Sequence, residues 1–314
     1  MNITKKIKNK YTFLKKNYLI RYYNGKFNFN TSEAIIISGV PRGGTTWLAE
    51  LLSVEEKLAL IWEPLHLEFY PPIKKLNFKW RQFIDINNHD HETIDLFSQL
   101  LTGKSLTRGI LQKTSIDKLK NADALIVKFC RANRLLPWLT THFEFKKVIH
   151  LLRHPCAVVS SQLSFGAWDD IEPFFTEEEL KSDGFIENYY EIIKPINTIE
   201  EKLAAIWCLD NILPLTENKS NKWVSVTYEN LLLNPEKSFE RMDIEFNSDM
   251  ENKFNQPSTT TKSSSPINKK ETVMQQLSYW KTKLNEQQTN SILTILRQFN
   301  ITIYNQEIYP TADY

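Results

Sequence analysis

AIIISGVPRGGTTWL, residues 34–48, decides how the rest of the chain is read. Residues 34–39 are a β-branched apolar run, the composition of a strand buried on both faces of a parallel sheet. A glycine-rich loop follows, and Thr45–Leu52 reads as a helix. Strand, loop and helix in this order make an anion cradle. Loop N–H groups converge on one cluster of oxygens, the helix N-terminus adds partial positive charge, and the Thr45 and Thr46 hydroxyls add donors. Gly39 and Gly44 have the spacing of the glycines in GxxxxGKS/T, but Thr45 stands where that pattern has lysine. The loop's cation is Arg42 instead. A nucleoside-triphosphate enzyme uses the lysine on the β- and γ-phosphates and the adjacent hydroxyl on magnesium. Arg42, Gly43, Gly44, Thr45 and Thr46 therefore suit one phosphate with a charged neighbour, and no obligate metal.

The alternation continues outward. Leu58–Trp62 and residues 123–128, 147–153 and 222–228 read as further strands. Helices are expected from Pro155, a favoured first helical position, and over 200–213, 272–283 and 286–299. Residues 258–265, polar and flanked by proline, read as a loop. The pattern predicts an α/β fold with a central, mostly parallel sheet covered by helices on both faces. Such sheets bind ligands at the carboxyl ends of their strands.

Composition sets outer bounds. A chain of 314 residues, 41% hydrophobic and 24% charged, is globular rather than disordered, fibrous or coiled-coil. Residues 1–30 form a basic arm with Lys5, Lys6, Lys8, Lys10, Lys15 and Lys16, and 31–314 are expected to form a single domain. The arm reads as solvated and partly helical, with a weak contact to an anionic membrane surface or anionic substrate as the alternative. The whole chain is nearly neutral, with 39 basic against 37 acidic residues, which argues against a nucleic-acid partner. Mean hydropathy is −0.40, and no apolar run nears the roughly 18 residues of a membrane span. The first residues lack the apolar centre of a secretion signal, so a cytoplasmic location is expected. Cys130, Cys156 and Cys208 are odd in number and far apart, which fits neither a disulfide framework nor a metal knuckle. His89-Asp90-His91 sits in a polar loop and reads as solvated, so no metal is expected.

A second anion grip lies in KVIHLLRHPCAVVSSQ, residues 147–162. Arg153 ends a strand, and Ser161 follows eight residues later on the next helix, facing the same crevice as the first loop. The planar fork of arginine pairs bidentately with phosphate oxygens. PRGGTTWL, LLRHPCAVVSS and VTYENLLLNPEKSFERM together resemble the sulfotransferases that use 3′-phosphoadenosine 5′-phosphosulfate (PAPS). The resemblance runs from about Ala34 to the C-terminal helices. It implies a P-loop-NTPase-like three-layer fold, a first loop on the 5′-phosphosulfate, and Arg153 with Ser161 on the 3′-phosphate. By the same resemblance Trp47 lies against the adenine and Tyr228 near the nucleoside.

Sulfuryl transfer is an in-line displacement that needs positioning, cations at the leaving oxygen and a base for the acceptor hydroxyl. Arg42 is placed to stabilise the leaving phosphate, where cytosolic members usually carry lysine. Lys128 matches a family lysine near the transferred sulfonate. Cys130 stands where aryl and steroid sulfotransferases carry histidine, which argues against that subfamily. LIWEPLHLEF, residues 60–69, resembles the Glu-Pro segment of Golgi carbohydrate sulfotransferases, which makes Glu63 the candidate base and His66 the reserve. Trp62, Phe69, Tyr70 and Trp80 are candidates to stack on a sugar. The family's late Arg-Lys-Gly segment is missing; Lys262, Ser263, Ser264, Lys269 and Lys270 fall in that region without an assignable role. The expectation is a PAPS-dependent O-sulfotransferase for a small-molecule or glycan hydroxyl, carbohydrate or glycolipid favoured. The alternatives are a P-loop kinase or related phosphotransferase, and a nucleotide-binding module without turnover.

Overall fold

The computed structural model of the chain describes residues 3–166, 175–218, 221–255 and 273–312. Among them, five strands form one sheet, parallel throughout, in the order β2-β3-β1-β4-β5. The strands are β1 Ile35–Gly39, β2 Leu58–Trp62, β3 Ala124–Phe129, β4 Lys147–Leu152 and β5 Val224–Thr227. β2 has the expected bounds, and the others shift by one or two residues at their ends.

Side chains of a strand alternate between faces, so a sheet covered on both sides needs apolar residues at every position. Ile35 and Ile37 pack with Leu60, Trp62, Ile126 and Ile149 on the face covered by α2 (Thr45–Leu52) and the helices Tyr228–Leu233 and Pro235–Met242. Ile36, Ile61, Val127 and Val148 face the other way, toward α3 (His91–Leu101), α4 (Ile116–Asn121) and α5 (Leu136–His142). Beside them, α6 (Pro155–Phe165), α7 (Ile199–Thr216) and α8 (Glu286–Gln298) pack around Val40 and Leu152. The result is the three-layer α/β fold the pattern predicts.

The expected helix over 272–283 is a short helix, Val273–Ser278, followed by a 3₁₀ turn at Tyr279–Thr282 that buries Trp280. The expected loop 258–265 lies outside the described residues. The basic arm contains α1 (Ile3–Tyr23), which is docked rather than wholly solvated: Ile20 is buried, and Lys16 Nζ donates to the Leu111 carbonyl at 2.6 Å. Among the described residues, no helix is long and apolar enough to cross a membrane.

Two cross-strand rows prepare the site. Ile37 and Trp62 are both in register with Lys128, which puts that lysine on the α2 face among apolar neighbours. Ser38, His150 and Ser225 form a polar row on the opposite face.

Candidate active site

The loop from β1 to α2 is shaped by missing side chains. A Cβ on Gly39 would meet the Leu151 carbonyl at 2.7 Å, and one on Gly43 the Val40 carbonyl at 2.8 Å. On Gly44 it would meet the Tyr228 ring at 2.5 Å, and Gly44 is also left-handed, with φ +98°. Gly44 is the N-cap of α2 and supplies no side-chain cap, and no acidic residue sits in the first turn. The helix start, which has more N–H donors than intrahelical acceptors, is thus open to an anion.

Two guanidiniums gather beside this loop. Arg42 Nε donates to Ser161 Oγ at 2.9 Å. Arg153 Nη1 donates to the Arg42 carbonyl at 2.9 Å, and its guanidinium lies 4.7 Å over the Tyr228 ring. Arg153 Nε is buried without a hydrogen-bond partner among the described residues. Burial, then the charge of Arg153, lowers the Arg42 pKa. Tyr228 meets Trp47 edge-on at 5.8 Å, and its hydroxyl accepts from Gln276 at 3.4 Å. The sequence expectation set Arg42 at the leaving phosphate and Arg153 with Ser161 on a second anion in the same crevice. The structure joins all three, with Gly44, Trp47 and Tyr228 alongside. Thr45 turns away: it is buried, with Oγ1 3.6 Å from Cys130 Sγ, while Thr46 is half-buried on the first turn of α2.

The second cluster centres on Lys128, which is fully buried. Its ammonium donates to Glu63 Oε1 and, at 2.9 Å, to Cys130 Sγ, and lies 4.3 Å from the centre of the Trp62 ring. Cys130 Sγ in turn donates to Glu63 Oε1 at 3.1 Å. Glu63 sits at φ +42°, sparsely populated for a residue with a Cβ, and its N–H is held by the Lys128 carbonyl at 2.8 Å. Burial opposes the Glu63 charge, but the Lys128 ammonium, the Cys130 hydrogen bond and the Arg131 charge together hold the carboxyl below its ordinary range. Burial likewise opposes the Lys128 charge, and the Cys130 sulfur and Glu63 carboxylate together raise its pKa. Burial pushes the Cys130 thiol up. The triad is therefore an ammonium, a carboxylate and a neutral thiol at pH 7.

His66 stacks on Phe69 at 3.8 Å and meets Trp80 edge-on at 4.9 Å, and burial lowers its pKa. Of the aromatics expected near a sugar, Phe69 and Trp80 are half-exposed at this spot. Trp62 and Tyr70 are buried in the core, because β2 turns Trp62 under α2 and the chain after it folds Tyr70 inward. The Arg131 guanidinium covers Trp80 at 4.5 Å and adds positive charge beside Glu63.

Other polar groups were not legible as partners. In the Ser38 row, His150 Nε2 lies 3.0 Å from Asn211 Oδ1 and Nδ1 lies 3.1 Å from Ser225 Oγ, and burial lowers its pKa to about 4. Behind Arg153, His154 N–H donates to Glu229 Oε1 at 2.9 Å, and Tyr304 Oη donates to Glu229 Oε2 at 2.8 Å. His150, His154 and Glu229 lie within the quoted motifs, but their partners are 61 to 75 residues away, beyond any local pattern. Lys262, Ser263, Ser264, Lys269 and Lys270 lie outside the described residues. In the His89-Asp90-His91 loop, His89 Nδ1 lies 3.1 Å from His142 Nε2, and Asp90 caps α3 by accepting from Thr93 N–H at 3.0 Å.

The profile of the sulfotransferase family matches residues 34–243, more than half of the chain. The chain belongs to that family and is a sulfotransferase. No curated protein sequence matches it. Among solved structures, it is similar to the sulfotransferase domain of the Synechococcus PCC 7002 olefin synthase, at 19% identity over 89% of this chain and 97% of that one, TM-score 0.44. It is also similar to the sulfotransferase domain from the curacin biosynthetic pathway, at 18% identity over 86% and 98%, TM-score 0.45. A third is mouse sulfotransferase SULT7A1 complexed with PAP, at 13% identity over 91% and 90%, TM-score 0.43.

Proposed function

We propose that the enzyme transfers the sulfuryl group of PAPS to a hydroxyl of a carbohydrate or glycolipid. The observation that carries this reading is Arg153. It is backed by Tyr228, its buried Nε lacks a partner among the described residues, and it adjoins a phosphate loop whose cation is Arg42. The Arg153 guanidinium with the Ser161 hydroxyl fits a second phosphate, which a 3′,5′-bisphosphorylated nucleotide carries on its ribose and ATP does not. In this reading the N–H groups of Gly43, Gly44, Thr45 and Thr46 hold the 5′ end, and Trp47 and Tyr228 flank the nucleoside. Arg153 and Ser161 hold the 3′-phosphate.

The acceptor oxygen forms the new S–O bond as the donor's bridging S–O bond breaks, with the electron pair leaving on the nucleotide's 5′-phosphate. Lys128 and Arg42 offset the charge that grows there. The acceptor's proton goes to Glu63, whose depressed pKa keeps it in the accepting, ionised form at neutral pH. Phe69, Trp80 and His66 offer aromatic surface to a sugar beside that carboxylate. Adenosine 3′,5′-bisphosphate should stabilise the protein against heat without magnesium, by mass action on the folded state, and more than magnesium-ATP does. Equal or better stabilisation by magnesium-ATP would return the loop to a kinase-type role.

A further inference from the structure

The 32 residues before Glu33 hold eight basic residues and no acidic one. The whole chain has 39 basic and 37 acidic residues, so 31 face 37 in the remainder. Docking of α1 leaves Lys10, Lys15, Arg21 and Lys26 exposed. Its inner face is fixed by buried Ile20, by Lys16 on the Leu111 carbonyl, and by the Arg108 guanidinium 3.9 Å over Phe13. The turn after it is held by Gly25 N–H on the Lys104 carbonyl and Leu106 N–H on Asn24 Oδ1, both at 2.7 Å. Helical periodicity then lines up Tyr11, Leu14, Tyr18 and Tyr22 on the outer side, 66, 55, 66 and 51% exposed. Lys10, Lys15 and Arg21 are exposed along the flanks, and Lys26 Nζ lies 3.2 Å over the Tyr22 ring.

We propose that α1 seats the enzyme on an anionic lipid bilayer. Tyrosine rings are amphipathic and settle at headgroup depth, while flanking lysines and arginines meet anionic lipid. Pairing with the α1 of a second copy would bring like charges together. The seat is linked to the acceptor side by the strap 104–113. Thr107 Oγ1 donates to the Phe69 carbonyl, Trp62 N–H donates to the Ile110 carbonyl at 2.9 Å, and Gly109 packs on the Phe69 backbone. The same strap carries Arg108 and Leu111, which hold α1. On the sulfuryl-transfer reading above, this nearness narrows the acceptor to a glycolipid headgroup.

The test is co-sedimentation of the full chain with vesicles of phosphatidylcholine alone, or of phosphatidylcholine and phosphatidylserine in equal parts. Binding is expected to the serine-containing vesicles only and to fall with salt. Lys10→Ala/Lys15→Ala/Arg21→Ala should weaken it about a hundredfold, at about fivefold per cation. Tyr11→Ser/Tyr18→Ser/Tyr22→Ser should weaken it by about tenfold or more. Both sets change exposed side chains and should leave stabilisation by adenosine 3′,5′-bisphosphate intact, which keeps this test separate from that of the donor. Equal binding to both vesicle types, or wild-type binding by both variants, overturns the proposal. So does an α1-dependent dimer without vesicles, or duplex DNA binding that is tighter than vesicle binding and indifferent to the tyrosine changes.

Discussion

Arg42 and Ser161, 119 residues apart in the chain, are joined by a 2.9 Å hydrogen bond. The carbonyl of the same Arg42 accepts from Arg153. One loop residue thus ties the turn after β1 to the end of β4 and the middle of α6. The positive φ of Arg42, +69°, is what lets its carbonyl and side chain serve both partners.

Arg153→Ala is expected to weaken adenosine 3′,5′-bisphosphate by about 1.5–3 kcal/mol, the scale of a charge-assisted hydrogen bond. Adenosine 5′-phosphate should be nearly unaffected. Titration calorimetry with both nucleotides checks this. Arg153→Lys, which keeps charge but loses the fork, should recover only part of the loss. Equal weakening of both nucleotides would remove Arg153 from the 3′ site.

Glu63→Gln should lower turnover about 10²–10⁴-fold. It also strands the buried Lys128 ammonium, at a cost of about 3–5 kcal/mol of stability. The size match of glutamine alone would suggest no fold defect; the ion pair reverses that expectation. Glu63→Gln/Lys128→Met should restore most of the stability and none of the turnover. His66→Asn should turn over near normally. A dead His66→Asn beside an active Glu63→Gln would move the base to His66.

The depressed pKa of Glu63 also fixes a pH profile. Turnover of the wild type should stay flat as pH falls through the ordinary carboxylate range, and drop only below it. The ion pair's contribution to stability is full above the unfolded-state pKa and disappears as pH falls through the lower folded value. A turnover decline starting near pH 6 would point to another titrating group.

Gly44→Ala should cost about 1–3 kcal/mol, because the left-handed backbone is strained with a side chain and the Tyr228 ring occupies the space. Chemical denaturation measures it. An unchanged midpoint would mean that Tyr228 yields freely.

His150, neutral in the core with a pKa of about 4, predicts acid sensitivity of the fold. The unfolded chain takes up that proton near pH 6.5 and the folded chain does not. Stability from this residue is therefore full above about 6.5 and declines toward 4, by about 3 kcal/mol in total. His150→Gln should flatten the stability slope between pH 6.5 and 5 by about one proton.

The sheet was legible because buried parallel strands are continuous apolar runs, and Ala34 to Gly39 needs no partner to be recognised. Arg42, Arg153 and Ser161 were legible as cations and a hydroxyl at strand and helix ends. Their mutual bonding was not, because it depends on the left-handed turn at Arg42. Cys130 read only as a missing histidine; its place between Lys128 and Glu63 follows from pairing of β2 with β3, a fact of register. The polar row Ser38, His150 and Ser225 interrupts otherwise apolar strands. Their partners come from a neighbouring strand and from distant helical segments: His150 meets Ser225 and Asn211, and Ser38 donates to Asn133.

The strand order separates two sets of groups. Glu63 and Lys128 issue from β2 and β3 on one side of β1, while Arg153 and Tyr228 follow β4 and β5 on the other. Each side is also a contiguous stretch of sequence, 58–129 and 147–228. The β1–α2 loop that carries Arg42 precedes both stretches, and its bonds to Ser161 and Arg153 tie it to the second. Residues 58–129 can therefore vary as a block, whereas residues 147–228 can change only in step with the loop at 39–46 that they grip.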